Sequence, residues 1–462
     1  MSSQHNRMQG IARLAWAAWL AAGLMLAGCA SSTVPNRQAE TQPAPPPVAP
    51  VAPAIPEEPE PISPRDAYQF ALVPPPGEWP VTRAALLLPL SGRHGSIGQA
   101  MLNAAQLALF DVADERFALV VRDTGGTPHG ARLAMQSALE ERVGVVLGPL
   151  FAGSTRAVAE ETRLLGINLL SFSNDRSVAG DGVFIAGLPP RGQVERVVDY
   201  AIRYGVSRFA VFAPQTTYGT TVVGALEDAV VARGGELVRI VSFNPAANDL
   251  TPELRVLAQY DERHQALLEE RAKLEASGDD EAAKLALKRL ENLDTLGKPD
   301  FDAVLLPLGG RSLLSVAPSL AYFDVDPVEI HYLGTALWDD ASLGTEPSLV
   351  GGWFAAPPPA LWDGFRARYE QTYGSAPPRV ATLAYDLVAL SAVMARTTAG
   401  TGLPADFGVA ALTQPSGFAG VDGIFRFTAD GVVERGLAIL EMERNQLREL
   451  EAAPQSFEAF FN

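Results

Sequence analysis

From residue 81 onward the chain alternates short apolar runs with amphipathic stretches, and this alternation constrains the fold more than any other feature. The first run, 84–90, is apolar without interruption, as expected for a strand covered on both faces. The next stretch, 97–110, carries apolar residues at helical spacing. A strict succession of strand and helix favours parallel sheets with helices on both sides.

The succession runs twice along the chain, which predicts two doubly wound α/β lobes. Strands are predicted at 117–121, 143–147, 167–171, 209–212 and 236–243. Helices are predicted at 130–141, 154–165, 194–204 and 220–233.

The segment 1–28 has the pattern of an export signal. Arg7 and Arg13 precede an uncharged stretch, 14–28, that is shorter than a membrane span of about 20 residues. It ends in Leu-Ala-Gly directly before Cys29, the single cysteine of the chain, and this resembles the lipobox of bacterial lipoproteins. The resemblance implies lipidation of Cys29. The alanine after it implies the periplasmic face of the outer membrane, with inner-membrane anchoring left open.

The segment 29–80 predicts a tether, because 15 of the 46 residues from 35 to 80 are proline. Such a composition cannot bury enough surface to fold, and it favours extended chain at about 3.1 Å per residue. The folded part is therefore expected to work at a distance from its membrane.

Charge and histidine spacing exclude several classes of function. The chain has 36 basic and 53 acidic side chains, a net charge of -17, which argues against nucleic acid as a partner. Its five histidines stand apart, without the spacing of a metal site, so no metal or cofactor is expected. No nucleophile elbow occurs either. The prediction is a protein that is not an enzyme, although a dyad assembled only in three dimensions stays open.

The stretch 148–155 has the glycine spacing of a phosphate-binding loop, with Ser154 at the position of the lysine. Without that lysine the β and γ phosphates lack their positive partner. The alternatives are an ordinary strand-to-helix turn or a helix N-terminus that meets an anion.

Eight short motifs stand in the order found in type I periplasmic binding proteins of the leucine-binding kind. They are Leu88-Pro89-Leu90-Ser91-Gly92, Gly148-Pro149-Leu150, the run 166–173, Tyr218-Gly219, Phe301-Asp302-Ala303-Val304, Tyr332-Leu333-Gly334-Thr335, Ala384-Tyr385-Asp386 and Gly420-Val421-Asp422-Gly423. The resemblance implies two lobes joined by three crossovers, expected near Gly187, Ala356 and Phe425. Lobe 1 would comprise 81–188 and 357–424, and lobe 2 would comprise 189–356 and 425–462. Any small-molecule ligand would lie in the cleft between them.

Relatives that bind amino acids hold the α-carboxylate with a serine and a threonine, and the ammonium with a tyrosine and a glutamate. The matching positions here are Ala152, Asp175, Gly309-Gly310 and Ala336. A zwitterion buried without such partners costs several kcal/mol, so an amino acid is not expected to bind in the usual way. Other polar residues near strand ends are candidates for a different ligand, or ordinary cap residues: Ser91, Ser154, Ser171, Ser173, Tyr218 and Trp338.

The segment 251–298 departs from a plain solute receptor. Of its 46 residues from 253 to 298, 19 are charged, and all four lysines of the chain lie here. Leucines recur at helical spacing on both sides of Ser277-Gly278, which predicts a helical hairpin opened by Thr251 as cap. Its apolar stripe either packs on lobe 2 or forms a docking surface.

The lipobox, the binding fold and the charged helical insertion together resemble the penicillin-binding-protein activator lipoproteins, over roughly 81–450. Those proteins carry a helical-repeat domain before the binding fold, for which 30–80 is too short. The resemblance implies a lipid-anchored regulator of a peptidoglycan synthase. The alternative is a solute receptor of an ABC importer for an amino-acid-like or other small polar ligand.

Overall fold

The computed structural model describes residues 81–278, 280–397 and 405–457. The expected signal segment 1–28, Cys29 and the tether 29–80 lie outside the described residues. All described residues belong to one compact unit.

Strand β1 (Thr82–Leu88) shows why the opening run is apolar at nearly every position. Leu86 and Leu88 pack into one core cluster, while Ala85 and Leu87 pack into another. Successive side chains of a strand point to opposite faces, so these clusters lie on the two sides of the sheet. A strand covered on both faces has no need of a polar position.

The first run of elements forms the first sheet and its helices. They are β1 (Thr82–Leu88), α1 (Gly95–Val112), β2 (Phe117–Asp123), α2 (Pro128–Leu139), β3 (Val145–Leu147), α3 (Ala152–Leu164), β4 (Leu169–Ser171) and β5 (Val183–Ile185). The strand order is β2-β1-β3-β4-β5, and every pairing is parallel.

The second run follows directly. It comprises α4 (Pro190–Arg203), β6 (Arg208–Pro214), α5 (Thr217–Ala232), β7 (Glu236–Phe243), α6 (Thr251–Ala258), α7 (Tyr260–Ala276), α8 (Glu281–Leu290), β8 (Ala303–Leu305), α9 (Gly310–Tyr322), β9 (His331–Gly334) and β10 (Trp353–Ala356).

The remaining elements return to both lobes. They are α10 (Pro359–Tyr373), α11 (Ala381–Thr397), α12 (Val409–Leu412), β11 (Phe418–Gly420), β12 (Gly423–Phe427), β13 (Val433–Arg435), β14 (Ala438–Glu443) and β15 (Gln446–Glu451). Helix α11 packs against α1 in lobe 1, while β14 and β15 extend the sheet of lobe 2 in the order β15-β14-β10-β9-β8-β6-β7.

Two features differ from a purely parallel prediction. Strands β14 and β15 pair antiparallel at the edge of the second sheet, and β11, β12 and β13 form a small antiparallel sheet of their own. The small sheet belongs to lobe 1, because Phe425, Phe427 and Val433 pack in the core cluster of that lobe. Leu437 packs in a cluster of lobe 2, so the chain passes between the lobes at Gly436, further along than the expected position near Phe425.

The insertion forms three helices rather than a simple hairpin. Gln259 adopts a left-handed conformation with φ 50° and separates α6 from α7. Leu254 and Leu257 on α6 are buried in the core of lobe 2, so this part of the apolar stripe packs on the lobe. Thr251, predicted as the cap, is the first residue of α6, and its N–H donates to the Asp249 carboxylate at 2.9 Å.

Candidate functional site

A cavity of about 1170 Å³ lies between the lobes. Lobe 1 contributes the residues that follow β3 and β4, and lobe 2 contributes the beginnings of α4 and α5. The carboxyl ends of parallel strands are where α/β proteins bind ligands, which agrees with this position. The lining includes Leu150, Phe151, Ala152, Ser173, Asn174, Asp175, Leu188, Pro189, Thr217 and Tyr218.

The lobe 1 face carries polar groups without partners. Helix α3 begins at Ala152, and its N-cap residue, Phe151, offers no side-chain acceptor to the first N–H groups. The hydroxyl of Ser154, only 1% exposed as a residue, has no hydrogen-bond partner among the described residues. Ser154 lies in the first turn of α3 and does not itself line the cavity.

Ser171 and Ser173 have different roles on this face. The buried Ser171 hydroxyl donates to the Pro149 carbonyl at 2.9 Å, lies 2.7 Å from the Thr155 hydroxyl, and accepts from the Ser173 N–H at 3.1 Å. Ser171 therefore fixes the turn behind the cavity. Ser173 lines the cavity, and its hydroxyl accepts from the Asp175 N–H at 3.1 Å.

Asp175 brings a negative charge to the lining. One carboxylate oxygen accepts from the Ser177 N–H at 2.9 Å, which caps a short 3-10 turn. No ion pair involves Asp175 within the described ranges. The neighbouring Arg176 is paired instead with Asp430, at 2.6 Å.

On the lobe 2 face, Tyr218 and Gln193 are bonded within the lobe, whereas the start of α4 at Pro189 has no side-chain cap. The Tyr218 hydroxyl lies 2.9 Å from that of Thr335, and burial raises the pKa of Tyr218. The Ala336 N–H donates to the Gln193 side-chain carbonyl at 2.8 Å. The Gln193 amide donates in turn to the Leu188 carbonyl at 2.9 Å, so this face is tied to the first crossover.

Trp338 is a core residue, and the prediction that it lines the cleft is wrong. It is fully buried in the main cluster of lobe 2, and its indole N–H donates to the Leu306 carbonyl at 3.2 Å. A Cβ at Gly334 would lie 2.3 Å from the indole, so the strand beneath has room only for glycine.

Ser91 also stands apart from the cavity, on the exposed loop after β1. Partial burial would raise the pKa of Asp123, but hydrogen bonds from Ser91, Gly125 and Leu90 hold that pKa below its ordinary value.

Of the six predicted cleft residues, the structure places Ser173 and Tyr218 in the lining, and Ser91, Ser154, Ser171 and Trp338 outside it. Phe151 and Thr217 line the cavity without having been predicted, because nothing in their local sequence marks them as ligand-facing.

Two kinds of feature are absent from the part of the chain that the structure describes. No group of three or more histidine, cysteine or acidic side chains is arranged to hold a metal ion there. None of the helices in that part combines the length and the apolar character needed to cross a membrane.

Known structures share this architecture. A putative branched-chain amino acid ABC transporter protein of Rhodospirillum rubrum matches with a TM-score of 0.61 and 17% identity, over 80% of this chain and 100% of that one. A solute-binding protein of Rhodopseudomonas palustris, solved with 3,4-dihydroxybenzoic acid, matches with a TM-score of 0.57 and 18% identity, over 81% and 96%. A branched-chain amino acid binding protein of Streptococcus pneumoniae, solved with isoleucine, matches with a TM-score of 0.52 and 17% identity, over 81% and 100%.

Sequence comparison identifies the family. An uncharacterized protein of Rickettsia prowazekii is 24% identical over 155 residues, which span 33% of this chain and 41% of that protein. Residues 82–446 match the periplasmic binding protein family, which is most of the chain. This protein is therefore a member of the periplasmic binding protein family.

Proposed function

We propose that this protein is a periplasmic binding protein without enzymatic activity, which takes a small molecule into the cleft between its lobes. The observation that supports this best is the cavity of about 1170 Å³, to which both lobes contribute side chains. Its size is above the usual range for small-molecule sites. Its lining combines apolar side chains such as Leu150 and Phe151 with many polar and charged ones, among them Asp175, Arg191 and Arg196. We propose that the apolar part of the lining holds the body of the ligand and that charged side chains select its polar group.

The proposed ligand class rests on two differences from relatives that bind amino acids: the anchors for the amino acid are absent, and Asp175 adds a carboxylate. The four anchors that would hold an amino acid are replaced by Ala152, Asp175, Gly309-Gly310 and Ala336, and the Ala336 N–H is already bonded to Gln193. Asp175 repels a carboxylate at its position and attracts an ammonium group. We therefore expect an aromatic or branched apolar body with an ammonium group near Asp175.

Three probes separate the options: tyramine, 4-hydroxybenzoate and isoleucine. Tyramine and 4-hydroxybenzoate both carry a phenol ring, but one has an ammonium group and the other a carboxylate. We expect tyramine to raise the melting temperature and to give the lowest Kd by calorimetry. Asp175→Thr should raise the Kd of tyramine, and it should lower the Kd of 4-hydroxybenzoate because the repulsion between two carboxylates is removed.

A matched pair of variants locates the binding. Ala152→Trp places an indole in the cavity, whereas Ala232→Trp places one at the exposed end of α5, outside the lining. Ala152→Trp should abolish the response to tyramine, and Ala232→Trp should keep it. An equal response in both variants, or no response of the parent protein to any of the three probes, would contradict cleft binding.

A second candidate function is regulation of a peptidoglycan synthase, and the insertion is the observation that favours it. Beyond α6, helix α7 buries Arg263 and Leu267 and α8 buries Ala283, whereas Leu268 and Leu285 are 44% and 55% exposed. A charged hairpin with exposed leucines is a surface that a protein partner can contact. Purified synthase should polymerise or crosslink glycan faster with the full protein than with Leu268→Glu/Leu285→Glu. Equal rates of the synthase with the full protein, with the double variant and with neither would exclude this role.

Either role is compatible with a lipid anchor at Cys29, and we include that anchor in the proposal. An acylated N-terminus anchors a protein stably at a membrane when more than one acyl chain is attached. Metabolic labelling with an alkyne fatty acid should mark the parent protein and not Cys29→Ser. Density-gradient separation of the labelled membranes distinguishes outer from inner membrane.

A further inference from the structure

One buried guanidinium joins the two lobes. Arg379 precedes α11 in lobe 1, and its Nε lies 2.7 Å from Oδ2 of Asp339 in lobe 2. Its Nη1 lies 2.6 Å from Oδ1 of Asp422, in the turn between β11 and β12 of lobe 1. The same side chain is therefore shared between a carboxylate of each lobe.

Lobe 1 holds this arginine in place on its own. The guanidinium stacks over the Trp362 ring at 4.6 Å, and Trp362 belongs to α10 of the same lobe. The second oxygen of Asp422 accepts from the Thr382 hydroxyl at 2.7 Å, which orients the carboxylate toward Arg379. Arg379 is thus positioned before it meets lobe 2.

The contact with Asp339 is the part that depends on how the lobes are arranged. The Asp339 side chain is 7% exposed, and burial raises its pKa although the charge of Arg379 opposes this. A buried carboxylate needs a charged or hydrogen-bonding partner, so Asp339 is stable in this position only while Arg379 faces it. If the lobes separate, Asp339 gains water, whereas Arg379 keeps Asp422.

Asp339 also ends the segment 335–339, which lies behind the lobe 2 lining of the cavity and is bonded to two lining residues. Within the segment 335–339, the Thr335 hydroxyl contacts Tyr218 of the cavity lining, and the Ala336 N–H is bonded to Gln193. A displacement of this segment by an occupant of the cleft would therefore move Asp339 relative to Arg379.

We propose that Arg379, Asp339 and Asp422 form a latch that holds the lobes together and resists their separation when the cleft is empty. The latch goes beyond ligand binding, since it acts on the lobes whatever the cleft accepts. It predicts that the empty protein is mostly closed, in contrast to a binding protein whose lobes separate freely.

Electron paramagnetic distance measurement tests the latch without any ligand. Spin labels are attached in the full chain, purified in detergent, at Leu164→Cys on α3 and Val231→Cys on α5, with Cys29→Ser to remove the native thiol. Both positions are well exposed, 80% and 68%, and lie on different lobes. We expect one dominant distance in the parent protein. Asp339→Asn should raise the population at a second distance several-fold, because a neutral amide replaces the ion pair with Arg379 by a weaker hydrogen bond.

The variants are chosen so that loss of folding and loss of the latch give different results. Asp339→Asn leaves the pair of Arg379 and Asp422 within lobe 1 intact, and Arg379→Gln removes both pairs. Arg368→Gln is the matched control, since Arg368 pairs with Asp111 entirely within lobe 1. An Asp339→Asn distribution equal to the parent would overturn the latch. A shift of equal size in Arg368→Gln would overturn it too, because general loosening would then explain the result.

Discussion

The two faces of the cleft differ in how far their polar groups are satisfied. In lobe 1, the Ser154 hydroxyl behind the lining has no partner among the described residues, and Asp175 in the lining has no ion pair there. In lobe 2, Tyr218 is bonded to Thr335, and Ala336 is bonded to Gln193. Asp175 lines the cavity and can gain a partner from a ligand, whereas Ser154 is buried behind the lining, so this comparison supports the proposed contact between a ligand and Asp175.

The largest effect that we expect is that of Trp338→Ala, a substitution in the core of lobe 2. Removing a fully buried indole should lower the free energy of unfolding by about 3–5 kcal/mol, measured by urea denaturation. Tyr204→Ala, at a site 62% exposed, should cost much less. If Trp338→Ala unfolds like the parent but loses ligand binding, the indole belongs to the recognition surface and the comparison fails.

The second test concerns pH and a carboxyl next to the latch. Desolvation, together with the charge of Asp422, raises the pKa of Asp386 from 3.8 to about 7, although Arg435 opposes this. The folded state binds the Asp386 proton more tightly than the unfolded state does. Protonation of Asp386 therefore stabilises the fold fully below pH 3.8, and this stabilisation is lost as the pH rises through about 7.

Asp386→Asn should therefore flatten the stability profile between pH 4 and 7, where the parent loses on the order of 1.4 kcal/mol for each pH unit at most. Burial lowers the pKa of His331, which gives a slope of opposite sign, but this term is the same in both proteins and cancels in the comparison. Parallel profiles of parent and variant would show that Asp386 is ionised throughout.

The third test compares two buried serines of lobe 1. Ser171→Ala removes the partner of the Pro149 carbonyl and of the Ser173 N–H, and should cost about 1–3 kcal/mol. Ser154→Ala removes a hydroxyl that lacks a partner among the described residues, so it should leave stability within about 0.5 kcal/mol of the parent. Equal losses in thermal denaturation would mean that Ser154 is satisfied in solution, and lobe 1 would lose its distinguishing feature.

The smallest expected effect is that of Tyr218→Phe. The change deletes the hydroxyl bonded to Thr335 while the ring stays in the cavity lining, and should cost about 1 kcal/mol in the empty protein. Thr335→Val deletes the same bond and also the acceptor of the Leu337 N–H, so alone it should cost more than Tyr218→Phe. In the double variant the two losses should be less than additive, because the bond between the hydroxyls is removed only once. Full additivity would show that these hydroxyls are not bonded to each other.

The alternation of apolar and amphipathic stretches predicted the two parallel sheets and their helices. A strand such as β1, whose neighbouring residues pack into opposite clusters, must be apolar throughout, and this pattern is visible without coordinates. The short strand β13 has the sequence Val-Glu-Arg, which lacks such a pattern, so the small antiparallel sheet and the third crossover at Gly436 were missed.

Trp338 shows the limit for the site. A tryptophan shortly after a strand end has the sequence context of a ligand contact, but a Cβ at Gly334 or Gly352 would collide with the indole. Nothing in the sequence links these two glycines to Trp338. Only the packing of β9 against the segment before β10 shows that they make room for its indole. Ser173, by contrast, follows the end of β4, and Tyr218 lies at the start of α5. The alternation of strands and helices already locates both of these ends in the sequence.

The left-handed residue at Gln259 also matters for how such a protein can be modified. It divides the insertion into α6, whose leucines belong to the core of lobe 2, and a hairpin whose far end carries the exposed residues Ser277 and Gly278. Sequence added at an exposed loop end is tolerated far better than sequence added within a core. An epitope or fluorescent reporter inserted after Gly278 would therefore follow the protein in living cells while both sheets and the cleft stay unaltered.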